Sequence, residues 1–215
     1  MTQFVRQHLM NRTIVSNTHL VEDTAQYRNI KYYSGEEFCE KHHLDIFTPR
    51  SVASDRHTKI LEFVEKNNNQ KNEEEEPEKE ENTEKEENVE NQLLPVVIFI
   101  HGGGWKRGDR AWWFDCYGNI GRSFAANNFI AVVPSYRLAP KFKHPYQPQD
   151  LARSIGWVYK NIHTFGGDRN TIFLTGHSAG AHLAALLALD RSYLQAENVP
   201  HTEVVFIYFF FLFFF

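Results

Sequence analysis

The chain has 215 residues, 42% of them hydrophobic and 23% charged, which suffices for one domain with a real core and falls short of two. Its net charge of −4 conceals a division, because eleven Glu stand against three Lys between Lys71 and Glu90 and leave the remainder with a small positive excess. With no basic stripe and only Cys39 and Cys116, the composition excludes nucleic-acid binding and a disulfide framework.

In chain order, Met1 to Gln26 shows no clear period and reads as a helical lead-in at most. The first thirty residues hold no apolar segment like that of a signal peptide, which points to the cytoplasm. Ile30 to Tyr33 and Leu44 to Phe47 are short β-prone runs and are expected to pair at a sheet edge. His42, His43 and Asp45 lie close together but lack a further ligand at metal spacing, so they are expected as surface residues beside a strand, with no metal. Val52 to Lys66 spaces Ile60, Leu61 and Val64 as a helix does. Asn67 to Gln92 then loses almost all apolar residues; such a tract cannot bury enough surface to offset its ordering entropy, and it is expected to be a disordered acidic insert.

Pro95 to Ile100 is a continuous apolar run of strand length, the pattern of a strand covered on both faces. Asp109 to Asn127 reads as a crossover helix, Phe129 to Val133 as the next buried strand, and Pro134 to Gln149 as a loop. Asp150 stands where an N-cap belongs, ahead of Leu151, Ile155, Val158 and Ile162 on one helix face. Gly166-Gly167 stop that helix, Ile172 to Thr175 form another strand, and Ala179 to Leu189 is apolar nearly all round, as a helix packed on a sheet should be. Strands alternating with helices make a mostly parallel, three-layer αβα sheet the economical fold.

Two motifs carry chemistry. Gly176-His177-Ser178-Ala179-Gly180 joins the last strand to the last helix, a turn tight enough that only small residues fit and one that lifts the Ser178 hydroxyl clear of the sheet. His101-Gly102-Gly103-Gly104-Trp105 follows the first buried strand, where glycines free backbone N–H groups to stabilise an oxyanion. Neither is a nucleotide site. No Gly-Lys-Ser/Thr follows the glycines, and Arg107 stands where a dinucleotide fingerprint needs its third Gly.

With Tyr136-Arg137-Leu138-Ala139-Pro140, Phe165-Gly166-Gly167-Asp168 and Leu44-Asp45-Ile46-Phe47-Thr48-Pro49, these motifs resemble the α/β-hydrolase superfamily, in its carboxylesterase, hormone-sensitive-lipase-like and arylformamidase branch. The resemblance spans about residues 30 to 50 and 93 to 200. It implies Ser178 as nucleophile, the N–H groups of Gly103, Gly104 and Ala179 as oxyanion hole, His101 as a loop-ordering residue, and no cofactor. Such a site also requires a carboxylate and a His from later strands. Only Asp190 and His201 follow in the right order; Asp190 ends the helix leading away from Ser178, and His201 precedes the next strand, so both the acid and the base are left unassigned. His177 and His182 flank Ser178 and are expected to be structural.

The expected domain is therefore a single, incomplete α/β-hydrolase unit over 1–215, with an insert at 67–92 and a Phe-rich tail at 204–215 too short to cross a bilayer. The expected function is hydrolysis of small carboxylic esters through an acyl-enzyme on Ser178, weak or lost where acid and base are missing. An arylformamidase-like amide hydrolase and a non-catalytic small-ligand-binding protein are the alternatives, and a chain that does not fold stably is a third outcome. The partner is a small ester or amide; oligomeric state is left open.

Overall fold

The computed structural model describes residues 22–69, 93–200 and 204–206. Its sheet has six strands in the order β1-β2-β4-β3-β5-β6: β1 Thr24–Lys31, β2 His43–Pro49, β3 Leu94–Ile100, β4 Ile130–Pro134, β5 Gly167–Gly176 and β6 Val204–Phe206. Strands β4, β3, β5 and β6 are parallel, while β2 pairs antiparallel with both β1 and β4. The sheet is thus mostly parallel at its centre, with an antiparallel flank.

Five α-helices and one short 3-10 helix, Ile162–Phe165, accompany it among the described residues, the α-helices being α1 Arg50–Asn69, α2 Trp112–Ala126, α3 Tyr146–Asn161, α4 Ala179–Leu189 and α5 Ser192–Ala196. Alternation along each strand sorts side chains between two layers. Leu44, Ile46, Ile98, Ile130, Val132, Ile172 and Leu174 point into one core with Ile60 of α1, Leu151 and Ile155 of α3, and Leu183 and Leu187 of α4. Phe47, Ala131 and Val133 point the other way and pack with Tyr117 and Ala125 of α2. The result is the expected three-layer arrangement.

Several boundaries differ from the sequence reading. The first strand runs from Thr24 to Lys31, so it takes in the end of the expected lead-in and bulges between Tyr27 and Ile30, where Asn29 has φ 59°. Helix α1 continues through Asn67–Asn69, which the sequence assigns to the disordered insert. Tertiary bonds hold that last turn: Trp157 Nε1–H donates to Asn67 Oδ1 at 3.1 Å, and Asn67 Nδ2–H donates to the Lys31 carbonyl at 2.7 Å. Asp150 is not an N-cap, since α3 begins four residues earlier at Tyr146, after Pro145, with Pro148 in a first turn that needs no N–H. Residues 70–92 of the expected insert and all but Val204–Phe206 of the Phe-rich tail lie outside the described residues.

Candidate active site

The turn between β5 and α4 has the steric economy its glycines imply. Ser178 is exposed and adopts φ 52°, ψ −114°, a sparsely populated positive-φ conformation that costs an L-residue about 1–3 kcal/mol. Gly176 and Gly180 lie against the end of β3: a Cβ on Gly180 would stand 2.2 Å from the Ile100 carbonyl oxygen, and one on Gly176 2.8 Å from the same atom. The His177 N–H donates to that oxygen at 3.0 Å, and the Gly180 N–H closes the turn on the His177 carbonyl at 2.8 Å. Backbone packed on backbone leaves no room for a side chain, which is why small residues flank Ser178.

The glycine loop is pinned one peptide plane at a time. In the His101-Gly102 peptide, the carbonyl accepts the Tyr136 hydroxyl at 3.0 Å and the N–H donates to the Tyr117 hydroxyl at 3.0 Å. In the Gly102-Gly103 peptide, the carbonyl accepts from His101 Nδ1–H at 2.8 Å. In the Gly103-Gly104 peptide, the carbonyl accepts the N–H groups of Lys106 at 3.2 Å and Arg107 at 3.0 Å. A trans peptide points its N–H opposite to its C=O. Holding the two later carbonyls therefore aims the N–H groups of Gly103 and Gly104 the other way, and neither has an acceptor among the described residues. The N–H of Ala179, first in α4, is likewise without an acceptor, at the positive end of that helix. The loop meets the turn where a Cβ on Gly102 would lie 2.6 Å from His177 Nδ1.

His101 is fully buried, its Nδ1–H committed to the Gly102 carbonyl and its Nε2 without a partner. Burial pushes its pKa down to about 4, so the ring is neutral near pH 7 and orders the loop, as the resemblance implies.

Beneath the loop, Arg137 is 1% exposed and forks onto Asp150, with Nη2 2.7 Å from Oδ1 and Nε 2.9 Å from Oδ2, while its own backbone N–H donates to Oδ2 at 2.9 Å. The guanidinium lies 4.3 Å from the Tyr146 ring centroid. Hydrogen bonds from His42 and Arg137 outweigh burial and hold the Asp150 carboxyl below its ordinary pKa. His42 is also buried: Nδ1 accepts the Cys39 N–H at 3.0 Å, so Nε2 carries the proton and donates to Asp150 at 3.1 Å.

The expectation of surface positions for the first His/Asp cluster is therefore corrected at two of its residues. His42 and Asp45 are buried, because the Cys39 N–H and the Asp150 carboxylate satisfy the first and two arginines and a backbone N–H satisfy the second; His43 is half-buried. Asp45 takes Arg28 at 2.8 Å, Arg110 at 3.1 Å and the Asn29 N–H at 2.8 Å. No group of three or more His, Cys, Asp or Glu able to hold a metal occurs among the described residues.

Of the residues singled out in the sequence, Ser178, Gly103, Gly104 and Ala179 fall at the junction of β3, β5 and α4. Asp190 ends α4, about 18 Å along the axis from Ser178 at 1.5 Å per residue, and it binds Ser192 instead. His201 lies outside the described residues. His177 Nδ1 faces the Tyr117 hydroxyl at 3.3 Å, and His182 meets Trp105 edge to face at 5.3 Å. Tyr117, Asp150 and His42 were not anticipated as supports, since the partners that define their roles are 13 to 108 residues away in the chain. Two cavities of about 320 and 290 Å³ lie elsewhere, one between α3 and α5 and one beside Tyr33 and Trp157.

Comparison with known proteins agrees with this architecture. The BD-FAE family model matches residues 84–204. Esterase LipC of Mycobacterium tuberculosis is 42% identical over 106 residues, covering 48% of this chain and 25% of that protein. The isoprenylcysteine alpha-carbonyl methylesterase ICME of Arabidopsis thaliana is 37% identical over 113 residues, covering 51% and 25%. The matched stretch thus spans about a quarter of these curated relatives. Esterase B from Lactobacillus rhamnosis shares the fold with a TM-score of 0.58 at 22% identity, over 93% of this chain and 53% of that one. With more than half of its length matched by the family model and its sheet shared with a solved esterase, the chain belongs to the BD-FAE family of the α/β-hydrolase superfamily.

Proposed function

We propose that the chain carries the nucleophile and oxyanion half of a carboxylesterase site. The observation that supports this most directly is Ser178, exposed in a strained positive-φ turn at the start of α4, beside two loop N–H groups and one helix N–H that have no acceptor among the described residues. Ser178 Oγ attacks the carbonyl carbon of a small ester, and the N–H groups of Gly103, Gly104 and Ala179 take the charge that develops on the carbonyl oxygen. Collapse breaks the ester C–O bond, the alcohol leaves with the proton lost by Ser178, and water then attacks the acyl-enzyme to release the acid. The reading requires no cofactor.

The general base is left unassigned. His42 and Asp150 form a buried His–carboxylate pair, but both ring nitrogens of His42 are engaged and the pair braces Arg137. A cytoplasmic location belongs to the same proposal, and rests on the sequence reading of the first thirty residues.

Labelling of the full chain by a fluorophosphonate probe, beside Ser178→Ala, tests the proposal. Labelling that disappears in the variant identifies Ser178 as an activated nucleophile. A folded chain that takes no label overturns the hydrolytic reading and favours a small-ligand-binding protein.

A further inference from the structure

Tyr117 belongs to α2, in the layer opposite α4, yet its hydroxyl reaches both halves of the site. The side chain is buried, 4% exposed, with ring centroids of Phe99 at 6.0 Å and His101 at 5.8 Å. Its oxygen accepts the Gly102 N–H at 3.0 Å. That leaves its proton for His177 Nδ1, 3.3 Å away, and so places the imidazole proton on Nε2. Gly102 begins the loop whose next two N–H groups are aimed at the oxyanion, and His177 immediately precedes Ser178. One hydroxyl thus spans the two backbone segments whose relative placement the chemistry depends on.

We infer that Tyr117 is a positioning residue that holds the oxyanion loop in register with the Ser178 turn through the bridge Gly102 N–H to Tyr117 O–H to His177 Nδ1. This rests on the esterase reading for its consequence and on geometry for its existence. No other side chain joins the two segments by hydrogen bonds at both ends among the described residues. Tyr136 and His101 each hold a loop carbonyl without touching the turn. A donor misplaced by a fraction of an ångström loses much of its worth toward a developing charge, so loosening this bridge acts on the reaction and not only on the fold.

The test compares the full chain with Tyr117→Phe, which keeps the ring and removes the hydroxyl. Three readouts are taken: amide exchange at Gly102, the ring nitrogen shifts of His177, and the rate at which a fluorophosphonate labels Ser178. In the parent chain the Gly102 amide is protected and His177 is the Nε2–H tautomer. In Tyr117→Phe, Gly102 exchanges roughly tenfold faster, as loss of one hydrogen bond predicts, and labelling slows by a similar factor while the melting midpoint of α4 and the sheet is kept. An unprotected Gly102 or the other His177 tautomer in the parent chain overturns the proposal, and so does unchanged exchange in the variant; the parent measurements decide the matter even if the variant does not fold. A parent chain that shows the bridge but takes no label upholds the positioning role and defeats only the esterase reading.

Discussion

The ring of Tyr136 lies flat on the imidazole of His101, with centroids 4.3 Å apart and planes within 8° of parallel, while its hydroxyl donates to the His101 carbonyl. This stack seals the ring from water. In the unfolded chain the imidazole takes up its proton near 6.5, and in the folded chain only near 4, so the folded state binds fewer protons between those values. Its contribution to stability is complete above pH 6.5, is lost as pH falls toward 4, and amounts to about 3 kcal/mol over that window. His43, whose pKa burial also lowers, adds to the same slope. Urea midpoints measured at pH 7 and pH 4.5 are expected to separate clearly in the parent chain and much less in His101→Gln.

Asp150 and Arg137 are 0% and 1% exposed, and the guanidinium depends on that carboxylate. Removing the carboxylate leaves a buried cation uncompensated, so Asp150→Ala is expected to cost about 3–5 kcal/mol in urea denaturation. Glu37 reaches the same arginine at 3.2 Å but is half exposed, and Glu37→Ala is expected to cost less than about 1 kcal/mol. Equal losses from the two substitutions would contradict the assignment of Asp150 as the main partner.

Gly103 and Gly104 both have positive φ, 119° and 61°, but their surroundings differ. A Cβ on Gly103 meets the Arg107 carbonyl oxygen at 2.1 Å, whereas one on Gly104 meets nothing within 4 Å. Gly104→Ala is expected to cost only the backbone strain, about 1–2 kcal/mol, and to leave the loop in place. Gly103→Ala forces the 103–107 turn open and is expected to lower the melting midpoint further and to slow probe labelling of Ser178 more than Gly104→Ala does.

Gly180→Ala places a methyl 2.2 Å from the Ile100 carbonyl oxygen, a contact with backbone that no rotamer change relieves. The substitution is expected to destabilise by about 1–3 kcal/mol, as overpacking does, with the loss appearing as a lower urea midpoint. Ala181→Gly, one position on in the same helix, creates no clash and is expected to cost about 1 kcal/mol from helix propensity and about 0.8 kcal/mol for the buried methyl it removes, with no strain between α4 and β3.

What the sequence made legible is what local sterics decide. Helix α4 starts and stops where expected because the Ser178 turn precedes it and its own residues are Ala and Leu apart from Gly180 and His182. Strands β3 and β4 were readable because burial on both faces writes an unbroken apolar run. The supports of the site were not, because their meaning lies in pairing across the chain. Asp150 looks like a helix cap until Arg137, thirteen residues earlier, folds back on it, and Asp45 looks exposed until Arg28 and Arg110 close over it. Tyr117 carries no local signal at all: in α2 it is one aromatic among several, and only the packing of α2 across β2 and β4, with the Tyr117 ring beside Phe99 of β3, brings its hydroxyl to Gly102.

The seam between Gly180 and Ile100 also divides the site into a part that adapts and a part that does not. Because α4 rests on β3 through main-chain atoms, Ser178 moves only if the central strand of the sheet moves with it. On the proposed esterase reading, tailoring to different substrates falls to the exposed positions Trp105 and Lys106 after the glycine loop and Lys143 before α3, because Arg107, Asp109 and Arg110 are tied to Gly103, Lys41 and Asp45. A library meant to retune selectivity on that reading is best confined to those exposed positions, with Gly103, Arg107, Gly108, Arg110 and Gly176 to Ala181 kept invariant.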